Sequence, residues 1–245
     1  MEKINKLKKK FKTEKIDGYI IAKNDSFFGE YISDHNDRLK YISNFTGSYG
    51  FALILDDNNY LFVDGRYTLQ AEKQSGRLFK IKTIPHELPR DILKNKKLKI
   101  GFDPKLFTKK TLNIFFGKTN CKFFPLNKNL VDKIWFRKKK RIKNKFYTLP
   151  QISVGKSYNS KVNKIVQALK KSGADFQFIT ASENNAWLLN IRGKDTKYTP
   201  IPNSYILIGK NKKINFFCDL KKISLPLKKK LKTIKFIDIS FTERI

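Results

Sequence analysis

The chain has 245 residues, 40% hydrophobic and 13% aromatic, enough to bury one large core or two ordinary ones and too apolar for a disordered tail. It carries 53 Lys and Arg against 21 Asp and Glu, a formal net charge of +32. The lysines are scattered along the whole chain, as in Lys8-Lys9-Lys10, Lys138-Lys139-Lys140 and Lys228-Lys229-Lys230, whereas a phosphate-binding face would gather charge on one element and use arginine forks, so a solvated surface is the reading.

In chain order, Ile4, Leu7 and Phe11 recur at helical spacing, and Asp17-Gly18 ends that helix in a turn. Tyr19-Ile20-Ile21-Ala22 reads as a buried strand, Lys23 to Ser26 as a polar loop, and Arg38 to Phe45 as a short helix with Gly47 as its left-handed cap. Phe51 to Leu55 and Tyr60 to Val63, joined by Asp56-Asp57-Asn58-Asn59, form a β-hairpin. Asp64 then caps a helix over Thr68 to Gln74. A strand over Phe79 to Ile84, a helix near Leu88 to Leu93, a strand over Lys99 to Asp103, a helix over Thr108 to Phe116 and a strand over Lys122 to Pro125 follow. This alternation predicts an α/β layered domain. Leu130, Ile134 and Trp135 read as a short docked helix, and the basic run Arg137 to Lys145 as a linker, which places two domains at 1–147 and 148–245.

The second half repeats the plan. Tyr158 to Lys171 is amphipathic and ends at Gly173, Phe176 to Ile179 is a strand, and Ala186 to Ile191 a short helix before Gly193. A second hairpin, Tyr205 to Ile208 and Ile214 to Phe217, closes at Asp219. Tyr41-Ile42-Ser43-Asn44-Phe45-Thr46-Gly47 aligns with Trp187-Leu188-Leu189-Asn190-Ile191-Arg192-Gly193, so the halves read as a duplication in which nothing after Ile239 matches Phe79 to Phe124.

The usual catalytic constellations are missing. His35 and His86 have no second ligand at metal spacing. Gly47-Ser48-Tyr49-Gly50 lies between helix and strand, the wrong order for a dinucleotide loop, and no serine sits in a nucleophile elbow. Asp17, Asp64, Asp175 and Asp219 fall at strand ends, where turn and cap roles account for them. Cys121 and Cys218 suggest neither a zinc site nor a disulfide framework. With no secretory leader and no membrane span in the sequence, the expected compartment is the cytoplasm.

Phe45-Thr46-Gly47-Ser48-Tyr49-Gly50, the hairpin after it, and Val63-Asp64-Gly65-Arg66-Tyr67-Thr68-Leu69-Gln70-Ala71 resemble the aminopeptidase P family of creatinase/prolidase ("pita-bread") metallohydrolases. Glu30-Tyr31-Ile32 and Arg38 fit its pattern, and Ala186 to Gly193 with Asp195 and Tyr198 fits its second domain. The resemblance implies an α/β chain of two related creatinase/prolidase N-terminal-like domains, each a mixed β-sheet flanked by helices. It implies a third, catalytic domain absent from these residues, holding two divalent metals, usually manganese, through two Asp, one His and two Glu. It also implies a homodimer and proline-containing peptides as substrates. No catalytic or metal-binding residue is therefore expected in this chain. Arg66, beside Asp64, is the candidate substrate-facing or interface residue, with a local ion pair as the plain alternative. Trp187 is expected in the core, and Arg192-Gly193-Lys194-Asp195 either at a cleft or as a solvated loop. The reading is a scaffold for substrate access and dimerisation, the alternative a stand-alone basic module for nucleic acid or anionic surfaces.

Overall fold

In a computed structural model the described residues are 1–137 and 144–244. They form two compact units, Met1–Lys138 and Lys139–Ile245. The lysine triplet at 138–140 and most of the expected basic linker lie outside the described residues. The boundary expected at 147/148 falls later than this division. Phe146 is 2% exposed in the second unit's core, and the strand Tyr147–Thr148 pairs there with Ile191–Arg192. A shift in composition marks where one core stops; it does not show which later residues the next core recruits.

The first unit runs α1 (Glu2–Glu14), β1 (Gly18–Ala22), α2 (Arg38–Ser43), β2 (Phe51–Leu55), β3 (Asn59–Asp64), α3 (Thr68–Ser75), β4 (Lys80–Ile84), α4 (Pro89–Leu93), β5 (Lys99–Phe102), α5 (Lys109–Phe116) and β6 (Lys122–Pro125). Its six strands form one mixed sheet in the order β4-β3-β2-β1-β5-β6. Side chains alternate between two cores, as strand geometry requires. Tyr19, Ile21, Ala52, Ile54, Leu61 and Val63 face α1, α2 and α3 through Ile4, Leu7, Phe11, Leu39, Ile42 and Ala71. Ile20, Phe51, Leu53, Leu55 and Phe62 face α4 and α5 through Leu93 and Phe116. Both faces are covered, so the central strands read as continuous apolar runs.

Two local expectations shift. α2 stops at Ser43, and Asn44, not Gly47, takes the left-handed cap at φ 67°. Gly47 is small for another reason: a Cβ there would stand 2.3 Å from Phe45 Cζ. Leu130, Ile134 and Trp135 dock on the first core as expected, but as turns and not a helix. The Leu130 N–H donates to the Tyr19 hydroxyl at 3.3 Å, and Trp135 stacks on Tyr41 with centroids 4.5 Å apart.

The second unit runs β7 (Tyr147–Thr148), α6 (Gln151–Val154), α7 (Tyr158–Ser172), β8 (Phe176–Ile179), α8 (Ser182–Leu189), β9 (Ile191–Arg192), β10 (Tyr205–Gly209), β11 (Ile214–Cys218), α9 (Leu225–Lys230) and β12 (Ile234–Asp238). Its main sheet has the order β12-β11-β10-β8. The duplication extends to β12, which ends just before Ile239. β12 pairs parallel to β11 as β4 does to β3, and Asp219 caps a 3-10 turn after β11 as Asp64 does after β3. Thus the first strand of the Phe79–Phe124 segment does have a counterpart. Among the described residues β5, α5 and β6 have none.

Candidate functional site

β1, β3, β4, β5 and β6 run one way and β2 alone opposes them. The carboxyl ends of β1, β3 and β5 therefore meet the amino end of β2 at one edge of the sheet, where open α/β sheets leave crevices. A cleft of about 600 Å³ lies there. Ala22 and Phe51 come from the strand ends, Phe28, Tyr49, Leu106 and Ile114 supply apolar walls, and Lys23, Glu30 and Arg66 the charges.

Two of these charges, Arg66 and Lys23, have a structural cause. Arg66 follows the end of β3, where Asp64 turns the chain by accepting the Arg66 N–H at 3.0 Å. The same carboxylate accepts Arg66 Nε at 3.2 Å and Nη2 at 2.7 Å. The Arg66 side chain is nonetheless 76% exposed, with its guanidinium 5.4 Å from the Tyr67 ring centroid. Arg66 holds the Asp64 carboxyl below the usual range, while burial, then the Asp64 charge, pushes the Tyr49 hydroxyl up.

Lys23 is the residue sequence reasoning missed. Read as part of a polar loop, it is 9% exposed and pairs with Asp37 Oδ2 at 2.6 Å. Asp37 Oδ1 caps α2 by accepting the Lys40 N–H at 3.0 Å. One buried carboxylate thus holds a helix start and the cleft's lysine together, and a buried ion requires such a partner. The only sequence signal was a lysine directly after a buried strand. Asn24 beside it donates to the Leu106 carbonyl at 3.0 Å, and its Oδ1 is buried without a partner.

Arg66 thus lines this cleft of the first unit. Arg192 to Asp195 and Trp187 belong to the second unit. Trp187, expected in the core, is 57% exposed, with Lys161 Nζ 4.3 Å from its ring centroid. Asp195 is no solvated residue: its side chain is 5% exposed, pairs with Lys222, and accepts the Asn203 N–H at 2.8 Å. Asp17 accepts the Lys99 N–H at 2.8 Å and Asp175 pairs with Lys210 at 2.6 Å, both structural roles. Among the described residues no group of three or more His, Cys, Asp and Glu is placed to hold a metal ion. The dimetal ligand set therefore does not fit these side chains, and no step is assigned to it. The cleft can bind an apolar group carrying a charge; it presents no nucleophile paired with a base.

Two family profiles, each described as Creatinase/Prolidase N-terminal domain, match residues 3–133 and 137–243. The chain belongs to the creatinase/prolidase N-terminal domain family. It carries two such domains in tandem, each a mixed β-sheet flanked by helices. Over 94% of its length it is 32% identical to "Xaa-Pro aminopeptidase 1" of Dictyostelium discoideum, covering 39% of that protein. It is 30% identical to "Xaa-Pro aminopeptidase ApepP" of Drosophila melanogaster, over 85% of the chain and 35% of the relative. A crystal structure of X-prolyl aminopeptidase from Caenorhabditis elegans, described as a cytosolic enzyme with a di-nuclear active site, superposes with a TM-score of 0.89. That match is 25% identical and covers 98% of this chain and 42% of that one. This creatinase/prolidase chain therefore spans about two-fifths of the length of its aminopeptidase relatives and corresponds to their amino-terminal part. Among the described residues no helix is long and apolar enough to cross a membrane.

Proposed function

We propose that this chain is the non-catalytic amino-terminal part of a dimetal Xaa-Pro aminopeptidase, which releases the residue before a penultimate proline. Its tandem domains, matched at 3–133 and 137–243, serve as a scaffold that limits substrate access and supports a homodimer. Catalysis belongs to a further domain carrying two divalent metals, taken as manganese, which activate water on the peptide bond. Its compartment is the cytoplasm. The observation that carries this reading is the superposition of the whole chain on less than half of an X-prolyl aminopeptidase.

Within this reading Arg66 is the substrate-facing residue. Its exposed guanidinium at the cleft rim keeps Nη1 available for a peptide carboxylate or carbonyl, while Asp64 occupies Nε and Nη2. The pure chain with Mn²⁺ should leave an Arg-Pro-Pro peptide intact; cleavage would refute the assignment. In a chimaera where this chain replaces the matching part of the Dictyostelium discoideum relative, activity should persist. There Arg66→Ala should raise KM with little change in kcat, and an unchanged KM would remove Arg66 from substrate binding.

A further inference from the structure

The six-stranded sheet ends in β4 and the main sheet of the second unit in β12, each paired on one side only among the described residues. In the first unit the chain that follows β4 does not return to that edge, since β5 pairs with β1. The first unit instead occupies its edge lysines itself: Lys82 pairs with Glu87, and Lys80 Nζ lies 6.0 Å from the Tyr60 ring centroid. β12 differs. A groove of about 440 Å³ lies between it and the start of α9, with Ile223, Leu225 and Phe236 among its apolar walls and Lys228 and Lys235 as its charges. No carboxylate lines this groove, and both lysines are exposed. Leu225 is 76% exposed, and the last turn of α9 carries Lys228, Lys229 and Lys230 together. An open sheet edge beside an apolar groove is a place where an extended peptide adds as a further strand.

We propose that the β12 edge and this groove bind an extended segment of a partner protein in which apolar and acidic residues alternate. Strand geometry sets that pattern. Ile234 and Phe236 face the second unit's core side of the sheet, and Lys235 between them faces the other. Alternate residues of an added strand follow the same two sides, so its apolar side chains meet Phe236 and Leu225 while its carboxylates meet Lys235, with a further carboxylate at the groove's end for Lys228. An edge lysine that repels a basic strand selects an acidic one. A second copy is disfavoured, since each carries a net charge of +32 and pairing two β12 strands would bring their lysines together. Nucleic acid would use the charge and leave the apolar walls unfilled. The inference does not depend on the scaffold reading.

The test is hydrogen exchange of residues 234–238 in the 245-residue chain, with and without a synthetic peptide of alternating valine and glutamate, about eight residues long. The alternating peptide should slow exchange about tenfold or more, and a peptide of the same composition with valines and glutamates in separate blocks should not. Leu225→Asp should weaken binding by more than about tenfold, since it sets a like charge where apolar side chains dock. Lys235→Glu should weaken it about fivefold, the scale of an exposed ion pair. Both positions are exposed, so the far-UV spectrum should stay unchanged. No protection of β12 by the alternating peptide, equal protection by the block peptide, or protection unaffected by Leu225→Asp overturns the site. Stronger protection by an oligouridylate of similar length makes nucleic acid the ligand, and concentration-dependent protection of the chain alone makes it a second copy; either overturns the proposed occupant. The readout contains no peptide hydrolysis, so its failure leaves the scaffold assignment standing.

Discussion

At the residue scale, the ion pairs divide by sequence distance. Asp64 and Arg66 were legible because a carboxylate two residues before an arginine closes a local turn. Arg66→Ala should leave the urea midpoint unchanged, since an exposed pair contributes little, so any KM effect in the chimaera reads binding and not folding. Asp132 is different. It accepts Arg38 Nε and Nη2, each at 2.8 Å and 94 residues away, and Arg137 Nη2 at 2.5 Å. Burial would raise its carboxyl, but the arginine hydrogen bonds and charges prevail and hold it below the usual range. A depressed carboxylate stabilises the fold above its unfolded pKa of about 4, and that stability fades as pH falls through the lower folded value. Asp132→Asn should therefore be less stable than the parent at about pH 7, and the two should converge in acid once pH has fallen through the depressed folded value; parallel curves would dismiss the linkage. Nothing in the sequence paired residues so far apart.

At the element scale, helix ends test how capping was read. Thr108 accepts the Thr111 N–H at 3.1 Å, as its position before α5 implied, and Thr108→Ala should cost about 1 kcal/mol in urea unfolding. Glycine tolerates positive φ most readily, which points to Gly47 as the cap of α2, but asparagine also visits that region and comes first in the chain. Asn44 and Asn190, aligned in the two halves, both take it, at φ 67° and 54°. Asn190 does more: its Oδ1 accepts buried Lys161 Nζ at 2.6 Å, and its Nδ2 donates to the Lys156 carbonyl at 2.9 Å. Asn190→Ala should therefore destabilise more than Asn44→Ala, since it also takes one acceptor from a buried ammonium. Equal losses in chemical denaturation would restrict the role of Asn190 to backbone geometry.

At the scale of the whole molecule, charge and architecture act separately. A net charge of +32 repels itself in the compact state, with 53 basic groups against 21 acidic ones. Raising salt from about 10 mM to about 150 mM shortens the screening length from about 30 to about 8 Å, so Tm should rise across that range. A Tm that falls would mean that ion pairs such as Lys23–Asp37 and Arg38–Asp132 outweigh the repulsion.

The sequence by itself determined the kinds of element, the two hairpins, the duplication and the family motifs. These depend on periodicity and turn residues within a few positions, where local sterics and side-chain alternation act. Tertiary structure alone decided that Lys23 is buried, that strand ends converge into a cleft at Arg66, and that Phe178 and Trp187 face outward. Each of those depends on which strand lies beside which. That order brings together residues dozens of positions apart, and a sheet edge that has no further strand among the described residues exposes side chains whose local pattern belongs to a core.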